Sequence, residues 1–247
     1  MSGNIFTASD AGVGTHTITY TVTGGNGCQN SDSRDITVNS LPVVSAGIDL
    51  ATCQNQTLTL TDGSPGSGLW SGPGMTGNIF NSSITGSGVF SIVYTYTNPT
   101  TGCSANDTRI ITVNALPAVT AGPDLSLCTN SGVTFLSGAT PAGGTYSGVG
   151  VSAGAFNPTV SGAGVQLITY SFTNVNGCSA SATRTIVVNN VPVVSAGPDL
   201  TACLGQVINL TSASPVGGTW SGVGITGSSL DTSVPGSGIS IATYTFT

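Results

Sequence analysis

LPVVSAGIDL at Leu41–Leu50 returns as LPAVTAGPDL at Leu116–Leu125 and as VPVVSAGPDL at Val191–Leu200, 75 residues apart each time. The three arginines, Arg34, Arg109 and Arg184, keep that spacing. So do two cysteine series: Cys28, Cys103 and Cys178, then Cys53, Cys128 and Cys203. Every basic residue and every cysteine thus holds one phase of a single period, which marks a repeat architecture. The phase divides the chain into the C-terminal half of a repeat (1–40), two full repeats (41–115 and 116–190) and a repeat that stops before its last strand (191–247). MSGNIF at Met1 aligns with MTGNIF at Met75, so Met1 reads as an internal repeat residue. On that reading, a missing signal peptide is silent about secretion.

Within 41–115 the pattern is that of short strands. Pro42-Val43-Val44 suits an edge strand, because proline donates no ladder hydrogen bond. Thr57-Leu58-Thr59-Leu60 alternates with a period of two, and Gly63–Gly68 is turn chemistry. Leu69-Trp70-Ser71 carries the largest side chain, and Tyr146 and Trp220 take its place in the later repeats. Phe90, Ile92, Tyr94 and Tyr96 share one face of a long strand; Ile111 and Val113 share one face of the last. Short strands punctuated by turns at this density predict an all-β protein of tandem Ig-like β-sandwich repeats. The joints, such as Val113–Pro117, are short and contain proline, so an elongated rod is expected. The expected core aromatics are Trp70, Tyr146 and Trp220, with Tyr20, Tyr94, Tyr170 and Tyr244 opposite them.

Composition excludes several functions. Charged residues make up 5% of the chain, with three basic residues and a net charge of -6. Nucleic-acid binding needs a cationic footprint for phosphates, and none exists. No apolar run approaches the ~20 residues of a membrane-spanning helix, so no membrane insertion by this segment is expected. His16 is the one histidine and aligns with Phe90, a structural position. No nucleophile, base and orienting group come together, and the glycine-rich turns precede strands and not helices. The chain is therefore expected not to be an enzyme and to carry no cofactor. A cysteine metal site would want C-x-x-C or a nearby histidine, and neither is present; calcium between repeats wants six to eight oxygens, and the nine acidic residues form no dense D-x-D-x-D cluster.

The run P-V-V-S-A-G-P-D-L, then Cys, W-S-G-x-G, Y-T-x-T, N-G-C-S and T-R-x-I-x-V resembles the PKD-like, Ig-fold repeats of giant cell-surface adhesins of Bacteroidetes, including SprB-type gliding adhesins and type IX secretion cargo. The resemblance covers the whole chain. It implies an extracellular, cell-surface location, adhesion and, for one branch, gliding motility. The expected function is a structural and adhesive segment that contacts a surface polysaccharide or another extracellular ligand. Two alternatives stand beside it: a carbohydrate-binding array with exposed aromatics, and a self-assembling filament or sheath in which strand edges pair between neighbouring copies.

Six cysteines in an extracellular repeat array are expected to form disulfides. In an Ig-like topology Cys53 lies at one end of its sandwich and Cys103 at the other. A strand of 8–10 residues spans roughly 27–34 Å, whereas bridged Cα atoms lie within ~7 Å. That excludes pairing within a repeat (Cys53–Cys103, Cys128–Cys178) and disfavours the neighbours in sequence (Cys28–Cys53, Cys103–Cys128, Cys178–Cys203), which would use all six. It favours Cys53–Cys178, with Cys28, Cys103, Cys128 and Cys203 bridging to repeats beyond this chain. Arg109 shares strand parity with Ile111 and Val113, and Arg184 with Ile186 and Val188. Each should sit at the sandwich rim beside the acidic residue of its AGxD bend, which predicts the pairs Arg109–Asp49 and Arg184–Asp124.

Overall fold

The computed structural model describes residues 5–236 and 238–247; Met1, and with it the start of the 1–40 half-repeat, lies outside them. The chain is nearly all β, as tandem Ig-like sandwiches. It packs as two compact units: Met1–Ala118 with Phe172–Ala180, and Val119–Ser171 with Ser181–Thr247.

In the first unit, β1 (Gly14–Thr23) and β2 (Gln29–Val38) form an antiparallel hairpin. Seven strands follow: β3 (Leu50–Cys53), β4 (Thr57–Thr59), β5 (Leu69–Ser71), β6 (Met75–Thr76), β7 (Ile79–Asn81), β8 (Gly88–Thr97) and β9 (Ser104–Asn114). One sheet has the order β3-β9-β8-β5 and the other β4-β7-β6. β3 runs parallel to β9 and every other pairing is antiparallel. The core lies between the sheets. Leu60 and Phe80 meet Ile92, Ile111 and Val113, and Leu50, Leu58, Trp70, Met75 and Phe90 pack around them. β9 alternates buried Arg109, Ile111 and Val113 with more exposed neighbours, the period-two pattern of a strand with one face covered.

The second unit builds the same frame. Its strands are β10 (Leu125–Cys128), β11 (Thr134–Phe135), β12 (Thr145–Ser147), β13 (Val151–Ser152), β14 (Ala155–Phe156), β15 (Gly164–Thr173) and β16 (Ser179–Asn189). The sheets are β10-β16-β15-β12 and β11-β14-β13. Phe156, Ile168, Ile186 and Val188 form the core, with Leu125, Leu127, Leu136, Tyr146 and Val151 against it. Then come β17 (Val207–Asn209), β18 (Thr219–Ser221), β19 (Ile225–Thr226), β20 (Ser229–Asp231) and β21 (Thr243–Thr245), paired as β17-β20-β19 and β18-β21.

One-turn helices at Ser82–Thr85 and Pro158–Ser161 follow β7 and β14. Each is capped by an asparagine, Asn81 or Asn157, whose side-chain oxygen accepts the N–H two residues on.

A tyrosine fixes the turn before β5. Trp70 and Tyr94 sit directly opposite each other across the ladder, their ring centroids 4.7 Å apart. The Tyr94 hydroxyl donates to Pro65 O at 2.6 Å and accepts from Gly68 N at 2.8 Å. Tyr170 repeats this with Pro141 O and Gly144 N, and Tyr244 with Pro215 O and Gly218 N. Gly68, Gly144 and Gly218 leave the hydroxyl room: a Cβ at any of them would fall within 2.7 Å of it. Close approach, and not backbone flexibility, is what calls for glycine there.

One expected core residue is outside the core. Tyr20, the counterpart of Tyr94, is 73% exposed. The β1–β2 hairpin is a two-stranded sheet, and among the described residues no aromatic ring lies against Tyr20 as Trp70 lies against Tyr94. Without that cover the ring faces solvent. Trp70, Tyr146, Trp220 and Tyr244 are half-buried, and Tyr94 and Tyr170 are buried.

Ile111 is fully buried on β9 between both neighbouring strands. Ile111→Ala is expected to cost about 2–5 kcal/mol through lost contacts and a residual cavity, read as a fall in the denaturant midpoint with an unchanged m-value.

Candidate functional site

Two polar constellations interrupt the apolar pattern: a disulfide and a pair of buried arginines. Cys53 ends β3, and Cys178 lies in the turn between β15 and β16. They form a disulfide with a Cα–Cα distance of 5.6 Å, and both lie in the first compact unit. This is the pairing the topology argument favours. Cys178 is fully buried. Its turn is held by Asn174, whose side-chain oxygen accepts from Asn176 N and Cys178 N at 3.0 Å each. The Asn174 amide donates to Ala115 O. Ser82, also fully buried, ties the other side: its hydroxyl lies 3.0 Å from Cys53 O, donates to Gln56 O and accepts from Gln56 N. Thr232 repeats that arrangement beside Cys203. A cleft of about 460 Å³ beside the disulfide is lined by neutral residues, among them Thr52, Gln56, Asn114 and Asn176. Cys28, Cys103, Cys128 and Cys203 are free thiols among the described residues.

Arg109 is fully buried. Its partner is Asp62 and not Asp49. Nη1 donates to Asp62 Oδ1 at 2.7 Å and Nη2 to Asp62 Oδ2 at 2.9 Å, a bidentate pair. Nε donates to Ile48 O at 2.9 Å, and Nη2 contacts the same oxygen. The guanidinium also lies over the Trp70 ring, 5.5 Å from its centroid. Asp49 is engaged elsewhere, accepting from Ile110 N at 2.8 Å. Asp124 does the same for Thr185 N at 2.7 Å, and Arg184 makes no ion pair with it. The expected pairs fail for one reason. Both bend aspartates face the edge of the neighbouring strand, where they satisfy a backbone donor, while the arginines turn inward from that strand. Asp62 and Asp107, which accepts from the buried Ala46 N–H at 2.8 Å, are structural residues that the sequence reading missed: Gly138 and Ala182 hold their positions in the next repeat, and of the two only Asp107 recurs, as Asp32 in the preceding half-repeat, a signal that could have found it.

The Arg109 hydrogen bond, foremost, holds the Asp62 carboxyl below the usual carboxylate range, against the opposing pull of its slight burial. The Ala46 and Thr108 amides hold Asp107 down as well. Among the described residues no group of three or more His, Cys, Asp or Glu side chains is placed to hold a metal ion. No described helix is long and apolar enough to cross a membrane.

No protein-family model and no curated protein sequence matches the chain. Several solved structures are similar to it. A Ca2+-stabilized adhesin that helps an Antarctic bacterium reach out and bind ice is 12% identical, with a TM-score of 0.32, over 87% of this chain and 70% of that one. A titin I-band fragment, I67–I69, is 11% identical, with a TM-score of 0.34, over 74% of this chain and 80% of that one. Sidekick-1 immunoglobulin domains 1–5 are 13% identical, with a TM-score of 0.24, over 87% of this chain and 62% of that one.

Two outcomes follow from the site. Asp62 has a lower carboxyl pKa folded than unfolded, so its stabilisation is complete above the unfolded value near ~3.9 and fades as pH falls through the folded value. Asp62→Asn should therefore flatten the loss of stability on acidification below about pH 4, measured by urea unfolding across that range; an unchanged slope would remove Asp62 from the acid response. The Cys53–Cys178 bond closes a loop of sequence separation 125. Cys53→Ser should destabilise the chain by about 2–5 kcal/mol, measured by denaturant unfolding without reductant.

Proposed function

We propose that this chain is a structural and adhesive segment of an extracellular, cell-surface protein, and that it performs no catalysis. The observation that carries the reading is the Cys53–Cys178 disulfide, which joins cysteines of two successive sequence repeats. Disulfides persist in oxidising compartments. A bond that links one repeat to the next is suited to a protein that must stay folded while its ends are pulled. The same repeat phase places Cys28, Cys103, Cys128 and Cys203 to bridge to further repeats. The remaining distinctive side chains are spent on holding the sandwiches: the tyrosine hydroxyls on turn backbone, Arg109 on Asp62 and Ile48, Ser82 on the segment after Cys53. Binding then belongs to the array, many weak contacts adding by avidity. Attachment to a surface polysaccharide, or gliding of the kind the sequence resemblance implies, is the finer reading.

The carbohydrate-platform alternative finds less support. Trp70 is half-buried and its ring is taken up by Tyr94 and Arg109; Tyr146 and Trp220 each lie against a tyrosine. A sugar platform needs an open aromatic face.

Deleting the codons for residues 41–190 from the encoding gene, in frame, is expected to reduce attachment of the cells to glass and to polysaccharide-coated surfaces several-fold. The segment should also be labelled on intact cells by antibody. Unchanged attachment, or antibody reaction after lysis only, overturns the proposal.

A further inference from the structure

The Cys53–Cys178 bond changes the route by which tension crosses the chain. Along the backbone alone, a pull from both sides runs through the two complete repeats and through the joint between them, Asn114–Pro117. Within 41–115 it would enter β3 at Leu50 and leave β9 at Asn114. These are opposite ends of a parallel pair whose register runs from Leu50↔Ile111 to Cys53↔Asn114. The disulfide supplies a shorter route. It joins residues 125 apart in sequence whose Cα atoms are 5.6 Å apart. Cys53 is the last residue of β3, and Cys178 immediately precedes β16. A pull therefore passes along β3, across the two sulfurs and along β16. Residues 54–177 lie off that route, with every strand from β4 to β15 and the joint itself.

A loop whose ends are held together covalently is not lengthened by a pull on the rest of the chain. Hydrogen bonds close the mouth of this loop as well. Gln54 N donates to Asn114 O, and the Asn174 amide donates to Ala115 O in the joint. Ser82, from inside the loop, holds the segment after Cys53. Each of these is a weak bond, and none of them has to carry the load. We propose that the Cys53–Cys178 bond is a force shunt, which takes tension off the two complete sandwiches and off the peptide joint between them. The proposal rests on the reading of this segment as one that stays folded while its ends are pulled. A sandwich placed in series with the load yields when its ladder hydrogen bonds yield. Here each complete sandwich lends the route one strand, loaded along its own axis, and the rest of the fold, with the surface it presents, is spared.

The test uses the whole chain, held by its first and last residues in single-molecule force spectroscopy, with the free thiols of Cys28, Cys103, Cys128 and Cys203 alkylated. Dithiothreitol supplies the two electrons and two protons that turn the disulfide into two cysteine thiols, and is itself oxidised to a disulfide. Without it, the fully stretched chain should be shorter by roughly 400–450 Å than with it, the extended length of the 125 residues that the bond spans. The unfolding steps of the two complete sandwiches should appear only with dithiothreitol. A protease site inserted after Ala115 probes the joint: once cut, the chain should still hold tension without reductant and part with it. Where the insertion disturbs folding, the length difference of the uncut chain decides. Equal lengths in the two conditions, or a tether lost on cutting without reductant, overturn the shunt. A chain that locks this length although cells lacking residues 41–190 attach normally keeps the shunt and loses the adhesive role.

Discussion

One tyrosine hydroxyl organises each sandwich. Tyr94 reaches from β8 to the turn ahead of β5 and bonds both a carbonyl, Pro65 O, and an amide, Gly68 N. Those backbone groups would otherwise need water or each other. The contact sets where the chain leaves the β4-β7-β6 sheet and enters β5, and so where Trp70 lands. Trp70 then meets Tyr94 across the ladder and Arg109 above its ring. The geometry recurs at Tyr170 and Tyr244, although Tyr146 replaces Trp70 and the intervening loops differ. A small sandwich has little apolar core to spare, and this corner adds direction where hydrophobic burial alone adds none.

The arginines show how a repeat drifts while its frame persists. Arg109 and Arg184 occupy one phase and both are buried, yet their surroundings have diverged. The first is saturated by a carboxylate, a carbonyl and an aromatic face. The second touches one carbonyl, and Tyr146 donates its hydroxyl to Ala121 O and Ser137 O beside it. Long apolar stems explain how such a residue survives at a core rim: Arg184 shares the buried strand face of Ile186 and Val188, its methylenes are apolar, and only the head needs a partner.

The disulfide adds a covalent level to this non-covalent frame. Cys53 closes β3, Cys178 sits in a turn ordered by Asn174, and Ser82 pins the chain beside Cys53. Each anchor is a short polar side chain holding backbone, which is how a chain with so few charged groups keeps its loops in place. In a segment proposed to bear tension, the cross-link confines unfolding to shorter stretches between covalent ties.

Much was determined by the sequence itself. The 75-residue phase, the alternation through Phe90–Tyr96 and Arg109–Val113 and the turn clusters specify strands, their faces and an Ig-like sandwich, because a period of two leaves one way to bury an apolar face. The same phase, joined to the length of a strand, led to Cys53–Cys178, since rigid geometry excludes the alternative within a repeat. The partners of the arginines were decided by tertiary structure alone. Asp49 and Asp124 recur with Arg109 and Arg184, and that co-occurrence reflects a shared end of the sandwich and not contact. Whether a carboxylate turns to a guanidinium or to a backbone N–H depends on a few ångströms of strand offset that no spacing encodes. Asp62 comes from the turn after the other sheet, and only folding brings it to Arg109. Tyr20 makes the same point for burial: its strand pattern matches Tyr94, but a face becomes a core only when a second sheet covers it.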